Sequence, residues 1–457
     1  MEERKENKMG TMPVNRLLVS MSVPIMISML VQALYNIVDS IFVAKYSVNG
    51  LTAVSLAFPV QSLMIAFSVG TGAGINSLLS RRLGEGRHKE ANSAATNGIF
   101  VCACSAVAFA IFGAIFSNLF FHAFTQNEEV IQMGTEYLFI CTVFSFGAFI
   151  QIAAERVLQA TGNTIYTMIT QGLGAIINII LDPIFIFVLK FGVAGAAIAT
   201  VIGQIVAMVF ALYLNHKKNH FVSISFRKFR PEWTTIKDIY RVGIPAIVMQ
   251  AITSVMTVGL NKILILFSEA AVSVFGIYFK LQSFIFMPIF GLTNGMIPIV
   301  GYNFGAAKKK RIMDTTRLAL ITSACIMLLG TLMFQLFPVP FLKMFNADAD
   351  MLAIGVPALR TISISFIFAG VAIVFSSIFQ ALGNGVLSLA MSLARQLIVI
   401  LPVAFIFSLV FGLDAVWFAF PISELVSCGM SILMFRSLYN KRLKHLGHPI
   451  QPTDISA

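Results

Sequence analysis

Twelve long apolar runs dominate this chain, and they leave it one kind of fold. A helix crosses a bilayer with roughly 20 apolar residues, whereas a barrel strand needs only about 9–11. The runs lie at approximately 15–44, 52–80, 93–120, 130–156, 166–189 and 193–215, then 242–267, 271–300, 314–341, 349–381, 386–410 and 413–436. Their length selects helices over barrel strands and predicts an all-α polytopic membrane protein with twelve transmembrane helices. Composition excludes the soluble alternative. Of 457 residues, 58% are apolar and only 11% charged, too few charges to coat several soluble domains. The polar opening MEERKENKMG precedes an apolar run too long for a cleavable signal, so no removal is expected. Cys102, Cys104, Cys141, Cys325 and Cys428 lie inside apolar runs and read as small buried hydrophobes. The six histidines fall between runs and suggest no metal cluster.

Lys and Arg set the orientation. With a cytoplasmic N-terminus, inner segments hold 25 of them and outer segments 3, namely Lys45, Lys190 and Lys343. Four more, Lys262, Lys280, Arg360 and Arg395, lie inside spans. Both termini are therefore expected in the cytoplasm, with the chain multi-pass in the cell membrane. The net charge of +12 then marks topology and contact with anionic lipid, not a nucleic-acid partner.

A repeat runs through the chain at a fixed offset of 221 residues. Pro24 pairs with Pro245, Gln61-Ser62 with Gln282-Ser283, Gly74 with Gly295, Gly84 with Gly305, and QATGN at 159–163 with QALGN at 380–384. Six spans per copy give both copies the same orientation. This predicts two six-helix lobes related by a parallel repeat, a pseudo-two-fold along the membrane normal, with substrate between them. The expected organisation is a cytoplasmic tail (1–13), an N-lobe (14–215), a cytoplasmic linker (216–241), a C-lobe (242–436) and a cytoplasmic tail (437–457). Because two lobes complete one cavity, a monomer is expected.

A charge at mid-span costs about 2.5–3.5 kcal/mol on insertion scales, so each needs a reason. Three acids read as lying well inside spans: Asp39, Asp182 and Glu424. Tyr35 precedes Asp39, and Asn178 precedes Asp182, by four residues, which stacks each pair on one helix face. Counting in from the span ends places these four, with Tyr137 and Thr200, in the outer half of the first repeat. At the 221 offset, Asp39 maps onto Leu260, Asn178 onto Val399 and Asp182 onto Val403. A structural role common to both copies would leave something polar in the second, so the asymmetry points to function. A buried carboxylate can bind and release a proton. Na+ held by oxygens of Asp39, Asn178 and Asp182 is equally open on chemistry alone.

In the second copy, Arg395 and Glu424 are expected to form an ion pair, and with Lys280 they are the candidates for lining a C-lobe cavity. GTGAGINS at 70–77 lacks the preceding strand of a phosphate loop and reads as close helix packing. The inner loops 81–91 and 305–312 are equivalent, and anchoring or conformational locking are their two readings.

This twelve-span repeat, with SVPIMISMLVQALYNIVDSIFVA, QATGNT and NIILDPIFIF, resembles the multidrug and toxic compound extrusion (MATE) family over residues 14–436. It is most similar to the bacterial and archaeal branch that keeps its acids in the N-terminal lobe. The resemblance implies a cation-coupling site at Asp39, Asn178 and Asp182 with Tyr35, Tyr137 and Thr200 around it, and a conformational hinge at Pro24. It implies antiport by alternating access: amphipathic, often cationic small molecules leave as H+, expected ahead of Na+, moves inward. Such a protein is no enzyme, needs no cofactor beyond its coupling ion, and fits export of xenobiotics and antibiotic resistance. The rival within the superfamily is a lipid-linked saccharide flippase. A channel would favour equivalent polar rings in both halves. An intramembrane aspartyl protease would need sequence contexts that VDS and LDP lack.

Overall fold

A computed structural model describes residues 7–227 and 229–446; the ends of the expected tails, 1–6 and 447–457, lie outside the described residues. Among the described residues there is no strand. The first half comprises α1 (Lys8–Thr11), α2 (Val14–Tyr46), α3 (Val48–Gly84), α4 (His88–Phe124), α5 (Glu128–Val143), α6 (Phe146–Ala160), α7 (Thr164–Pro183) and α8 (Gly192–Lys218). The second half opens with α9 (Trp233–Leu264), α10 (Glu269–Gly305), α11 (Lys309–Leu336), α12 (Pro338–Lys343) and α13 (Ala349–Ser363). It continues with α14 (Phe366–Ala381), α15 (Gly385–Leu393), α16 (Leu401–Val410), α17 (Leu413–Val416) and α18 (Ala419–Leu438). Wider π-turns continue α7 over Ile184–Val188 and join α15 to α16 over Ala394–Ile400.

Among the described residues, ten helices are long and apolar enough to cross a membrane, or up to twelve spans when two bent pairs each count once. The protein is an all-α, multi-pass membrane protein. Two of the runs do not form straight spans. The run at 130–156 is α5 and α6, bent by 42°, and that at 349–381 is α13 and α14, bent by 49°. Near the breaks, Thr142 Oγ1 donates to Leu138 O at 2.7 Å and Ser365 Oγ to Ile362 O at 2.6 Å.

The chain divides into two compact units: Val19–Ser80 with Arg87–Ala251, and the residues up to Leu18 with Arg81–Gly86 and those from Ile252 onward. In the first of these, Val43, Val60, Phe121, Tyr137, Leu138 and Ile186 form the core beside the acids. Helices α7 and α8 cross closely, since a Cβ on Gly203 would lie 2.7 Å from Gly174 O. Pro24 sits inside α2 and has no amide to offer Ser20 O. Thr164 Oγ1, in the first turn of α7, donates to that carbonyl at 3.1 Å.

In the other unit, Phe275, Tyr278, Phe334, Phe366 and Trp417 anchor the core. The end of α3 meets the end of α10 reciprocally. A methyl on Gly84 would collide with the carbonyl of Tyr302, and one on Gly305 with that of Arg81. Both pairs, 84/305 and 81/302, stand at the 221 offset. Part of the expected tail is also built in. Arg311 donates to Met9 O at 3.0 Å and Met12 O at 2.7 Å, Asn303 Nδ2 to Met9 O at 2.9 Å, and Lys308 Nζ to Gly10 O at 2.9 Å. Cations thus sit at the C-terminal end of α1, where carbonyls lack helical partners. Burial pushes the Lys8 ammonium below its ordinary range.

Candidate functional site

Asp39 lies toward the end of α2, and Asp182 closes α7 immediately before Pro183. The two carboxyl groups lie within interacting distance of each other. Asp182 is fully buried and Asn178 is 2% exposed. Asp39 is half-buried, and its Oδ1 is a buried oxygen without a hydrogen-bond partner. An unpartnered buried acceptor is costly unless something binds it at some stage of function.

Asn178 ties this pair to α8. Its Nδ2 lies 3.3 Å from Asp182 Oδ1 and 3.1 Å from Thr200 Oγ1. Turning the amide over satisfies both ends better. Nδ2 then donates to Asp182 Oδ2 at 3.3 Å, and Oδ1 accepts from Thr200 N at 3.2 Å and Thr200 Oγ1 at 3.1 Å. The close crossing at Gly174 and Gly203 lets these two short side chains meet. Pro183 and the following π-turn end α7, and left-handed Lys190 and Gly192 turn the chain back into α8.

Tyr35 lies one turn before Asp39 on α2, and buried Tyr137 accepts from Gln61 Nε2 at 3.0 Å. All six expected residues lie in one compact unit, where hydrogen bonds join Asn178, Asp182 and Thr200. Gln61 joins them; the sequence marks it only as a repeat position. Pro24 stands in an uninterrupted helix, with its carbonyl accepting from Ser28 Oγ at 2.9 Å.

In the second copy, the Arg395–Glu424 pair forms at 3.1 Å, leaving Glu424 Oε2 buried and unpartnered. Lys280 is exposed, with Nζ 5.7 Å from the centre of the Phe345 ring. A fourth buried acid joins the three read from sequence. Glu155 on α6 is 2% exposed and held by side chains of α6 and α7.

The MatE family model matches residues 24–184 and 245–406, so each copy of the repeat matches separately. The multidrug export protein MepA of Staphylococcus haemolyticus is 27% identical over 92% of this chain and 93% of its own. An FAD transporter of Shewanella oneidensis is 25% identical over 91% and 92%. A solved outward-facing multidrug resistance MATE family transporter superposes with a TM-score of 0.89, at 28% identity over 97% of this chain and 98% of that one.

Proposed function

This chain belongs to the MatE family, and from that premise we propose that it is a cation-coupled exporter of chemically varied, amphipathic and often cationic compounds. A membrane transporter and not an enzyme, it has relatives named for multidrug export. One observation carries the reading. Asp39 Oδ1 is buried without a hydrogen-bond partner and fully buried Asp182 is held by Asn178, at positions that are apolar in the second copy.

In the proposed cycle the lobes 14–215 and 242–436 alternate access, with both termini in the cytoplasm and one chain as the working unit. Facing outward, the Asp39–Asp182 pair takes up a cation and substrate leaves. Facing inward, the cation departs and new substrate enters. Pro24 provides the flexible point in α2. A proton is favoured over Na+ because the Asn178 oxygen already accepts twice from Thr200 and is not left over as a ligand. The membrane potential contributes about 2.3 kcal/mol per charge per 100 mV.

The test is efflux of a fluorescent organic cation from everted vesicles or proteoliposomes under separately imposed H+ and Na+ gradients. Gradient-driven efflux should be lost in both Asp39→Asn and Asp182→Asn. Efflux surviving both substitutions would sink the coupling assignment. Folded protein moving no cation under either gradient would bring the flippase reading forward.

A further inference from the structure

Glu155 is a buried carboxylate that this mechanism does not use. Its Oε1 accepts from Gln151 Nε2 at 3.0 Å and from Thr170 Oγ1 at 3.0 Å, a hydroxyl that shares its proton with Thr167 O at 2.8 Å, and its Oε2 accepts from Gln171 Nε2 at 2.8 Å. The ionisable group whose charge bears on it is Arg156, whose Nη1 donates to Gln159 Oε1 at 2.9 Å. From α8, Asn215 Nδ2 donates to Ala154 O at 2.9 Å.

The repeat separates what is structural here from what is not. Thr167 and Glu155 map at the 221 offset onto Ser388 and Ser376. Thr167 Oγ1 donates to the backbone carbonyl of Glu155 at 3.4 Å, and Ser388 Oγ to that of Ser376 at 2.7 Å. Both copies thus tie this helix pair together through the same backbone contact, and the second copy does so without an acid. Gln151, Thr170 and Gln171 map onto Ala372, Met391 and Ser392. The register is secure, because QATGN and QALGN begin four residues past Glu155 and its counterpart. The carboxylate and its three donors are therefore additional to the tie, with the same one-copy asymmetry as Asp39, Asn178 and Asp182.

Placement links the two groups. Gln171, Asn178 and Asp182 are spaced by seven and four residues, so they share one face of α7. The rise from Gln171 to Asp182 is about 16 Å at 1.5 Å per residue. We propose that Glu155 is the inner proton-accepting site of the first lobe, receiving the coupling proton from the Asp39–Asp182 pair on its way to the cytoplasm. This rests on the cation-coupled reading given above. A carboxyl O–H bond breaks at the aspartate pair, water carries the proton along α7, and an O–H bond forms at Glu155. That bond then breaks to cytoplasmic water.

Purified protein in proteoliposomes tests this with Glu155→Gln, Thr170→Val and Asp182→Asn. In Glu155→Gln, efflux driven by a proton gradient should fall about tenfold or more. Exchange of labelled for unlabelled organic cation without a gradient should stay within about twofold, because exchange needs no net proton movement. Thr170→Val removes one donor from the anion, so the pH at half-maximal efflux should rise. Wild-type efflux across the pH range in Glu155→Gln would overturn the proposal. Should that variant not fold, an unmoved pH midpoint in Thr170→Val would overturn it instead. Loss in Asp182→Asn alone refutes Glu155 but keeps the coupling reading; normal efflux in both acid variants refutes the two together.

Discussion

Replacing Gly84 by alanine should force the crossing of α3 and α10 apart without touching a charge. The new Cβ would lie 2.8 Å from the Tyr302 carbonyl carbon and 3.0 Å from Ala306 N, with the Tyr302 oxygen closer still. Ordinary van der Waals contact begins near 3.4 Å, and the obstacle is backbone, so relief comes only from moving a helix end. Overpacking of this kind costs about 1–3 kcal/mol, or roughly one to two decades in the equilibrium for separation. Hydrogen exchange of the purified protein reads that equilibrium. The informative amides are Glu85, bonded to Arg81 O at 2.9 Å, and Ala306, bonded to Tyr302 O at 2.9 Å. Both should exchange roughly 10–100-fold faster. Gly86→Ala is the control, because Gly86 has φ +74° and nothing within 4 Å. It strains its own turn by about 1–2 kcal/mol and should leave Ala306 unchanged. In Gly305→Ala the Cβ would lie 2.8 Å from Glu85 N. One separation relieves both clashes, so the double variant should cost little more than either single one. Unchanged exchange at Ala306 in folded Gly84→Ala, or full additivity in the double, would refute the reasoning.

Three further outcomes follow from contacts already described. Thr200→Val removes one hydroxyl from the Asn178 oxygen, a loss of about 0.5–1.5 kcal/mol, so gradient-driven efflux should drop severalfold and recover in Thr200→Ser. Arg311→Ala should release α1, detected as faster trypsin cleavage at Lys8. Arg311→Lys should rescue only partly, because a single ammonium cannot replace a guanidinium reaching Asn303, Met9 and Met12 together. Glu424→Leu alone strands Arg395 and should destabilise the protein by about 3–5 kcal/mol in thermal unfolding, whereas Arg395→Met with Glu424→Leu should be near neutral. An equally severe double variant would mean that the pair does more than neutralise itself.

The span pattern was legible because a bilayer imposes its thickness directly on apolar run length. The bends were not. Both bends fall inside runs that stay apolar throughout, so hydropathy does not register them. The four-residue spacings that stack Tyr35 on Asp39 and Asn178 on Asp182 could be read from one helix at a time. The Asn178–Thr200 contact spans 22 residues and depends on the Gly174–Gly203 approach, which periodicity does not encode. Glu155 escaped because it falls at the edge of the run at 130–156, beside Arg156, and reads as part of an inner boundary. Comparing every acid with its partner 221 positions on would have exposed it. Helix α1 escaped because four residues of a polar tail carry no pattern, and the side chains that seat it lie some 300 positions away.

The hydrogen bond from Thr164 to Ser20 has a mechanical consequence. From Ser20 to Asp39 is 19 residues of α2, and from Thr164 to Asp182 is 18 residues of α7. At 1.5 Å per residue these are about 28 and 27 Å, two rails of matched length. The rails are fastened at one end by a hydroxyl, and at the other each carries one acid of the candidate site, which makes that end the acidic joint. Pro24 lies one turn from the hydroxyl fastening, so α2 is weakest next to the joint that cannot titrate. In the proposed cycle, a change at the acidic joint would act as leverage on the proline, and one threonine hydroxyl would resist it at the far end.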